Sequence, residues 1–412
     1  MNNPKKSKAL LLIIPILIIL FNILIILRPA EIIGAAKEGL LLWYTANVPS
    51  LLPFMITVNI LMGLKAVEFF GVIFEPFMAP LFNVNGNGSF PFIAGMTSGY
   101  PMGAKVTSRL RQENLISKTE AQRLLAFSNN SGPLFILGAV GVGMFKNPSV
   151  GYFFMLIHYL GAILNGLIFK YYKKEKVKSV SRVKGTLFSD ALEKMRIERI
   201  RDGRSFTMIL SESLMDSMTA IVNIGGYIML FFVVVKALEI VNIISIFESL
   251  LYPLIKILNI SPEMFKGLFY GIFEITGGAG KLSALPLSRP VILLAGFILS
   301  FGGFSIHAQS SNFISKTDIS MAIYILSKIS HGLITALLGY ILYPFFSFQT
   351  TAEVFGYYGL DPLRELIGSV IICIISLFAM FMTYFIIAAV SKFSEYRKKR
   401  NRLNGFPKYK KE

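Results

Sequence analysis

The chain has 412 residues, of which 54% are hydrophobic and 16% are charged, and its mean hydropathy is +0.62. An average soluble domain has about 25% charged residues, so this composition excludes an ordinary soluble fold. The formal net charge of +18 would suit a nucleic-acid partner. However, the basic residues flank apolar segments and are not interleaved with the exposed aromatic residues of a strand-binding groove, which argues against nucleic acid.

The first half of the chain contains long apolar runs that predict membrane-spanning helices. Each run reaches the roughly 18 to 20 residues that an α-helix needs to cross a bilayer. Arg28 and Pro29 follow the first run in place of a small-residue cleavage site, so we interpret it as a retained span and not as a secretory signal. The predicted full spans lie near residues 9–27, 40–63, 124–145 and 149–172.

Residues 66–107 are also apolar, but proline and glycine interrupt them repeatedly, as at Pro76, Pro80 and Pro101. Such interruptions are tolerated at membrane depth only where protein or a water-filled cavity covers the freed backbone groups. The segment therefore predicts an interfacial helix followed by a re-entrant hairpin.

The second half of the chain repeats this order of features. The segment Ser98–Lys105 (SGYPMGAK) has a counterpart in Glu274–Lys281 (EITGGAGK), and the two lysines fall in register. A second interrupted apolar segment follows each of them, at 124–133 and at 293–303. The matched order indicates an internal repeat.

Basic residues cluster before the first span, in the central loop and in the tail, and such flanks mark the cytoplasmic side of a membrane protein. Both termini and the central loop are therefore predicted to be cytoplasmic. Counting spans then places the loop Lys105–Arg123 inside and the equivalent loop Lys281–Arg289 outside. The second repeat is thus inverted relative to the first. The predicted fold is an all-α polytopic membrane protein with two inverted-topology repeats, re-entrant hairpins and broken helices.

This topology divides the chain into two membrane halves, a loop and a tail. The repeats are predicted over about 40–145 and 215–312, and the last span over Ile367–Val390. The four segments are a first membrane half at 1–172, a basic cytoplasmic loop at 173–205, a second membrane half at 206–390 and a basic cytoplasmic tail at 391–412.

The interrupted helices predict a solute site where they meet. A broken helix exposes N–H groups at a partly positive terminus, which can hold an anion. The first-half candidates for substrate binding are Ser98, Gly99, Tyr100, Pro101, Gly103, Lys105, Asn129, Asn130, Ser131 and Gly132. The second-half candidates are Glu274, Thr276, Gly277, Gly278, Lys281, Gly302, Gly303, Ser305, His307 and Gln309. The alternative for the small residues is close helix packing, whereas two adjacent amides in an apolar run favour a lining role.

Glu274 lies between Phe273 and Ile275, where a carboxylate is costly at membrane depth unless it is paired or protonated. Three interpretations are open: a group that couples transport to a proton, a ligand of a coupling cation, or a structural ion pair with Lys281. Lys105 and Lys281 either neutralise an anionic solute or extend their side chains to the membrane interface.

The sequence contains no pattern typical of an enzyme, a metal site or a cofactor site. Cys373 is the only cysteine, and the three histidines are too scattered for a zinc motif. No Ser/His/Asp or Cys/His set is visible. We therefore expect no enzymatic activity, no metal and no cofactor.

The segments Ser98–Lys105, 127–135 and 301–309 resemble the YlbJ (SpoVV) family of sporulation integral membrane proteins. The resemblance covers nearly the whole chain and implies nucleoside-recognition or "gate" membrane domains, distantly similar to concentrative nucleoside transporters. It further implies a protein of spore-forming Firmicutes, in the outer forespore membrane, that moves dipicolinic acid from the mother cell toward the forespore. Dipicolinate is a small planar dianion, which agrees with paired helix N-termini and two lysines in register.

Two other functions fit the same resemblance. One is transport of a nucleoside or another small solute. The other is a membrane scaffold of the developing spore that does not transport and that docks partners on the basic loop Lys173–Arg204, although such a loop also suits contact with anionic lipid. The paired broken helices favour a transporter, because a scaffold does not require polar interruptions at membrane depth.

Overall fold

The computed structural model describes residues 4–173 and 187–348, and every regular element in these ranges is helical. The predicted span at 367–390 with its Cys373, and the tail at 391–412, lie outside the described residues. The helices are α1 Pro4–Leu27, α2 Pro29–Leu42, α3 Val48–Gly63, α4 Ala66–Phe82, α5 Ser89–Ser98, α6 Met102–Gln112, α7 Lys118–Ser128, α8 Pro148–Phe169, α9 Leu187–Asp202, α10 Phe206–Ile240, α11 Ile243–Leu250, α12 Tyr252–Ile257, α13 Pro262–Phe273, α14 Ile275–Ser283, α15 Arg289–Phe301, α16 Gly303–Ile314 and α17 Met321–Leu342. Single π-helical segments occupy Trp43–Asn47 and Leu134–Met144, and 3₁₀ turns occupy Gly86–Gly88 and Tyr343–Phe345.

Several of these helices are long and apolar enough to cross a membrane. Within the described ranges, α8, α10, α17 and the joined pair α15 and α16 meet this criterion by length and composition. Two further pairs meet it only together, and both are sharply bent, by 103° between α1 and α2 and by 86° between α3 and α4. The described part of the chain thus has four to six candidate spans, which confirms a polytopic α-helical membrane protein.

The two halves have the same order of elements. The repeated order begins, after α1 in the first half, with a long helix, which runs without interruption from Pro29 through the π-segment to Gly63 in the first half and is α10 in the second. A residue in left-handed conformation ends each long helix region, at Lys65 and at Asn242. After α4 in the first half and α11–α12 in the second, a helical hairpin, a broken helix and a final span follow. In the first half these are α5–α6, α7 with Leu134–Met144, and α8. In the second half they are α13–α14, α15–α16 and α17.

Equivalent helices of the two halves pack against each other in opposite directions. The Trp43 indole donates to the Ile221 carbonyl (2.9 Å), and further along the first long helix the Asn59 amide donates to the hydroxyl of Ser217 (2.8 Å), which lies earlier on α10. Elements that correspond in sequence but run antiparallel are the hallmark of inverted-topology repeats.

The final spans show the same relation. His331 Nε2 donates to the His158 carbonyl (3.0 Å), and the Asn165 amide donates to the Ser327 carbonyl (2.9 Å), so α8 and α17 are also antiparallel. The predicted inversion is therefore visible in two separate helix pairs. The repeated order extends beyond the predicted ranges 40–145 and 215–312, since it includes α8 and α17.

Candidate functional site

The tip of the first hairpin lies directly against the first broken helix. Gly99 ends α5 with φ of +83°, a conformation that favours glycine, and a Cβ placed on it would lie 2.6 Å from the Gly132 nitrogen. Gly103, in the first turn of α6, lies equally close to the Ser128 carbonyl, since its Cβ would be 2.1 Å from that oxygen. These glycines therefore hold the two first-half interruptions in backbone contact, which is the packing role predicted as the alternative for small residues.

Asn129 links this region to the second half of the chain. Its side-chain oxygen accepts from the Ala104 N–H (3.2 Å) at the start of α6, and its amide nitrogen donates to the Tyr324 hydroxyl (2.7 Å) and to Ser310 (3.1 Å). Asn130 is also fully buried and donates to the Phe127 carbonyl (2.7 Å). The structure places both amides behind the cavity wall described below, and their contact with a solute stays a prediction.

The tip of the second hairpin is built on Glu274, between α13 and α14. Its carboxylate accepts from the Gly277 N–H (2.7 Å) and from the Thr276 hydroxyl (3.1 Å), so it caps the N-terminus of α14. In the described residues it has no ion pair with Lys281. The structural-pair interpretation therefore has no support here, and the α14 terminus is already occupied by a carboxylate of the chain itself.

Gly278 makes the second hairpin tight. A Cβ on Gly278 would lie 2.3 Å from the Gly271 Cα, so α13 and α14 touch backbone to backbone at this level. Gly303 has a φ of +70°, and a Cβ placed on it would lie 2.9 Å from the Gly271 carbonyl oxygen. This contact brings the second broken helix to the same hairpin. Gly278 and Gly303 thus act in packing.

The interruptions of both halves meet around a small central cavity of about 30 Å³. The Tyr100 hydroxyl donates to the Ser300 carbonyl (3.1 Å), and the Ser131 hydroxyl donates to the Leu299 carbonyl (3.1 Å). The structure thus brings the two predicted clusters together, while their depth in the bilayer stays a prediction. The predicted site residues that line the central cavity are Tyr100, Ser131, Gly132, Glu274, Thr276 and Gln309.

Other predicted site residues surround this cavity without lining it. His307 is buried, and neither of its ring nitrogens has a hydrogen-bond partner in the described residues, although the ring contacts Phe301 edge-on at 4.6 Å. Ser305 accepts from the Gln309 amide (3.2 Å), and the Gln309 carbonyl oxygen is left without a partner in the same ranges. Ser98, Pro101, Gly277 and Gly302 lie at or next to the turns that form the site.

The two lysines in register lie in two larger cavities. The cavity of about 710 Å³ lined by Lys281 is here called the Lys281 vestibule, and the cavity of about 450 Å³ lined by Lys105 is called the Lys105 vestibule. The Lys281 ammonium lies 4.1 Å from the centre of the Tyr270 ring. The Lys105 ammonium has no hydrogen-bond partner in the described ranges. Neither lysine therefore contributes to the central cavity itself.

Helix α10 passes all three cavities in order. Residues Asp216 to Asn223 line the Lys105 vestibule, Ile224 and Ile228 line the central cavity, and Phe232 to Glu239 contribute to the Lys281 vestibule. At 1.5 Å per residue, the stretch from Asp216 to Glu239 is about 35 Å long, which is close to the roughly 30 Å hydrocarbon thickness of a bilayer. The cavities thus form a series along the full depth of the protein.

A buried polar network on α8 and α17 was missed by sequence reasoning. Lys328 is fully buried, and its ammonium donates to the Asn129 carbonyl (2.7 Å) and to His331 Nδ1 (2.9 Å). His158 accepts from the Ser131 N–H (3.0 Å) and contacts the Ser300 hydroxyl (2.6 Å). The available signal was the lysine itself, since an ionisable residue inside an apolar span indicates function.

The chain matches a protein-family profile, a sporulation membrane protein and a solved structure. The profile of a protein family described as "Gate: Nucleoside recognition" matches residues 47–148. The sporulation integral membrane protein YlbJ of Bacillus subtilis (strain 168) is 36% identical over 334 residues, which cover 80% of this chain and 82% of that protein. A solved structure of CNTnw in an outward-facing state covers 81% of this chain and 86% of its own, at 12% identity and a TM-score of 0.36. That structural likeness is too low to bear on function.

Proposed function

We propose, from the premise that this chain belongs to the YlbJ family of sporulation integral membrane proteins, that it transports a small anionic solute. The solute we propose is dipicolinic acid, moved across the outer forespore membrane during sporulation. The observation that carries the transporter proposal is the series of three cavities along α10. Inverted repeats with interrupted helices at their interface are the architecture in which solute sites form between the repeats.

A lysine at each end of this series supports an anion. Lys105 and Lys281 lie in vestibules at opposite ends, and in the described residues neither forms an ion pair. Both vestibules also contain carboxylates, among them Glu239 in the Lys281 vestibule and Asp216 in the Lys105 vestibule, so the support comes from the unpaired ammonium groups, which can contact an anion directly, and not from the summed charge. The inverted repeat explains why the equivalent lysines face opposite ends.

The central cavity is the barrier between the vestibules in this structure. Its volume of about 30 Å³ has room for only a few water molecules, which is far too small for a planar dicarboxylate. The hairpin tips at Tyr100 and Glu274 form part of its wall. Transport therefore requires that these tips separate, so that the cavity widens and opens to one vestibule at a time.

A neutral, hydroxyl-rich solute such as a nucleoside is the second candidate. Besides apolar side chains, the wall of the central cavity presents the Glu274 carboxylate, the Gln309 amide and the Thr276 hydroxyl, and it presents no cation. Such groups suit hydrogen bonding to sugar hydroxyls and base edges. The match of residues 47–148 to a nucleoside-recognition family agrees with this alternative.

Uptake into proteoliposomes distinguishes the candidates. We expect the purified protein to take up radiolabelled pyridine-2,6-dicarboxylate, and unlabelled nucleosides to leave this uptake unchanged. In a deletion strain of the source organism, we expect spores to lose dipicolinate while it accumulates in the mother cell. Uptake of nucleosides alone would favour the second candidate, and uptake of neither class would favour the scaffold role.

The pathway itself can be mapped by thiol labelling, because Cys373 is the only cysteine of the chain. In a Cys373→Ser background, Thr219→Cys places a thiol in the Lys105 vestibule and Gly280→Cys places one in the Lys281 vestibule. We expect a membrane-impermeant reagent to label these two positions from opposite sides of the membrane. Val222→Cys on the exposed side of α10 is the control that neither side labels, and labelling of both vestibules from one side would contradict the pathway.

A further inference from the structure

We propose that Lys328 supplies the fixed positive charge that pairs with the anionic group of the solute, and that it thereby determines the preference for anions. This inference rests on the proposed function and deepens it. Lys328 lies in the middle of α17, is fully buried, and is not one of the residues that line the central cavity. It therefore acts on the solute through its field and not through contact.

The hydrogen bonds around Lys328 fix where the protons are. His331 Nε2 faces the His158 carbonyl, which can only accept, so Nε2 carries a proton. His331 Nδ1 is then the acceptor for the Lys328 amine (2.9 Å), and the Asn129 carbonyl is a second acceptor (2.7 Å). Lys328 is thus placed to donate on two sides, which an amine and an ammonium can both do.

The hydrogen bonds of the second imidazole, His158, also correspond to its neutral form. His158 Nε2 accepts from the Ser131 N–H (3.0 Å), so its proton lies on Nδ1, which donates to the Ser300 hydroxyl (2.6 Å). Ser300 donates in turn to the Thr335 hydroxyl (2.9 Å). These hydrogen bonds are all made with both imidazoles neutral, so Lys328 is the member of this network that can carry a positive charge without losing one of them.

No carboxylate of residues 4–173 or 187–348 lies within ion-pair distance of the Lys328 ammonium. A buried charge without a counter-charge is costly in a low-dielectric interior. Glu274, on the wall of the central cavity, directs its carboxylate to the Gly277 N–H and the Thr276 hydroxyl. An anion that enters the central cavity would supply the missing counter-charge.

Tyr100 connects Lys328 to that cavity. The ammonium lies 5.2 Å from the centre of the Tyr100 ring, and the same residue lines the central cavity. The apolar, polarisable ring is thus next to both the Lys328 side chain and the central cavity. Interaction between charges in such surroundings is stronger than in water because the effective dielectric is lower.

The test compares two probes of the same shape and different charge, pyridine-2,6-dicarboxylate and its neutral diamide, by equilibrium binding to the purified protein. Lys328→Gln keeps a hydrogen-bond donor and removes the charge. We expect it to weaken binding of the dicarboxylate about tenfold or more and to change binding of the diamide less than threefold. Lys170→Gln is the matched control, because Lys170 also donates to a backbone carbonyl, that of Pro80 (2.6 Å), but lies outside the site.

Each other outcome overturns the inference. Equal weakening for both probes would show that Lys328 acts only in packing, and no weakening would show that its charge does not reach the site. If Lys328→Gln fails to accumulate, the unmodified protein decides, because equal affinity for dicarboxylate and diamide excludes a fixed counter-charge. Unmodified protein that binds only nucleosides, or no probe at all, refutes the proposed function and the inference with it. Binding of the dicarboxylate that Lys328→Gln leaves unchanged refutes the inference alone.

Discussion

Replacing Asn129 with leucine is expected to destabilise the protein. The two side chains have similar volumes, so the change removes hydrogen bonds without opening a cavity. Asn129 accepts from the Ala104 N–H and donates to Tyr324 and to Ser310, and all of these groups are buried. The leucine therefore removes three bonds and, with them, one of the side-chain links between the first hairpin and the second half.

The size of the effect follows from the groups left behind. Side-chain hydrogen bonds in membrane proteins average about 0.6 kcal/mol each, so the two bonds to Tyr324 and Ser310 account for roughly 1 kcal/mol. Tyr324 and Ser310 retain a bond to each other (3.2 Å), whereas the buried Ala104 N–H loses its side-chain acceptor. An orphaned buried donor costs about 1 to 3 kcal/mol. We expect Asn129→Leu to lower the free energy of unfolding by about 2 to 4 kcal/mol.

The measurement uses the only tryptophan of the chain as a reporter. Trp43 donates to the Ile221 carbonyl of α10, so its fluorescence reports the contact between the two long helices during unfolding in mixed detergent micelles. Asn130→Leu is the matched control: it removes one bond, to the Phe127 carbonyl, and should cost about 1 kcal/mol or less. An Asn129→Leu protein as stable as the unmodified one, but inactive in uptake, would refute this reasoning and restore the predicted lining role.

Two further predictions concern the second hairpin and the central loop. Gly278→Ala should sharply reduce the amount of folded protein, because its methyl group would collide with the Gly271 backbone. Gly280→Ala on the same helix has open space around it and should be tolerated. The purified yield and the melting temperature of the two variants are the measurements to compare. Asp202→Asn should lower stability by about 1 kcal/mol at pH 7. The hydrogen-bonded Arg204 guanidinium holds the pKa of Asp202 well below its ordinary value, so this contribution is present above about pH 4 and disappears as the pH falls further. A difference between the Asn variant and the unmodified protein that stays constant from pH 7 to pH 3 would contradict the assignment.

Local sequence patterns determined the membrane class, the two hairpins and their order. Apolar runs near 20 residues require a bilayer or a large protein interior, and glycine and proline interrupt helices wherever they occur in them. The match of Ser98–Lys105 with Glu274–Lys281 predicted the repeat, and the structure confirms the inversion through antiparallel helix pairs. These features depend on neighbours in the chain, and so they can be predicted from the sequence.

Only the tertiary structure decided which polar groups face the cavity and which hold the halves together. Asn129 bonds to Tyr324, 195 positions away, and Lys328 reaches the Asn129 carbonyl across 199 positions. Glu274 caps its own helix and leaves Lys281 to a separate vestibule, although seven residues separate them in the chain. A buried polar group takes whichever partner the fold brings within about 3 Å, and the order of residues along the chain does not contain that distance.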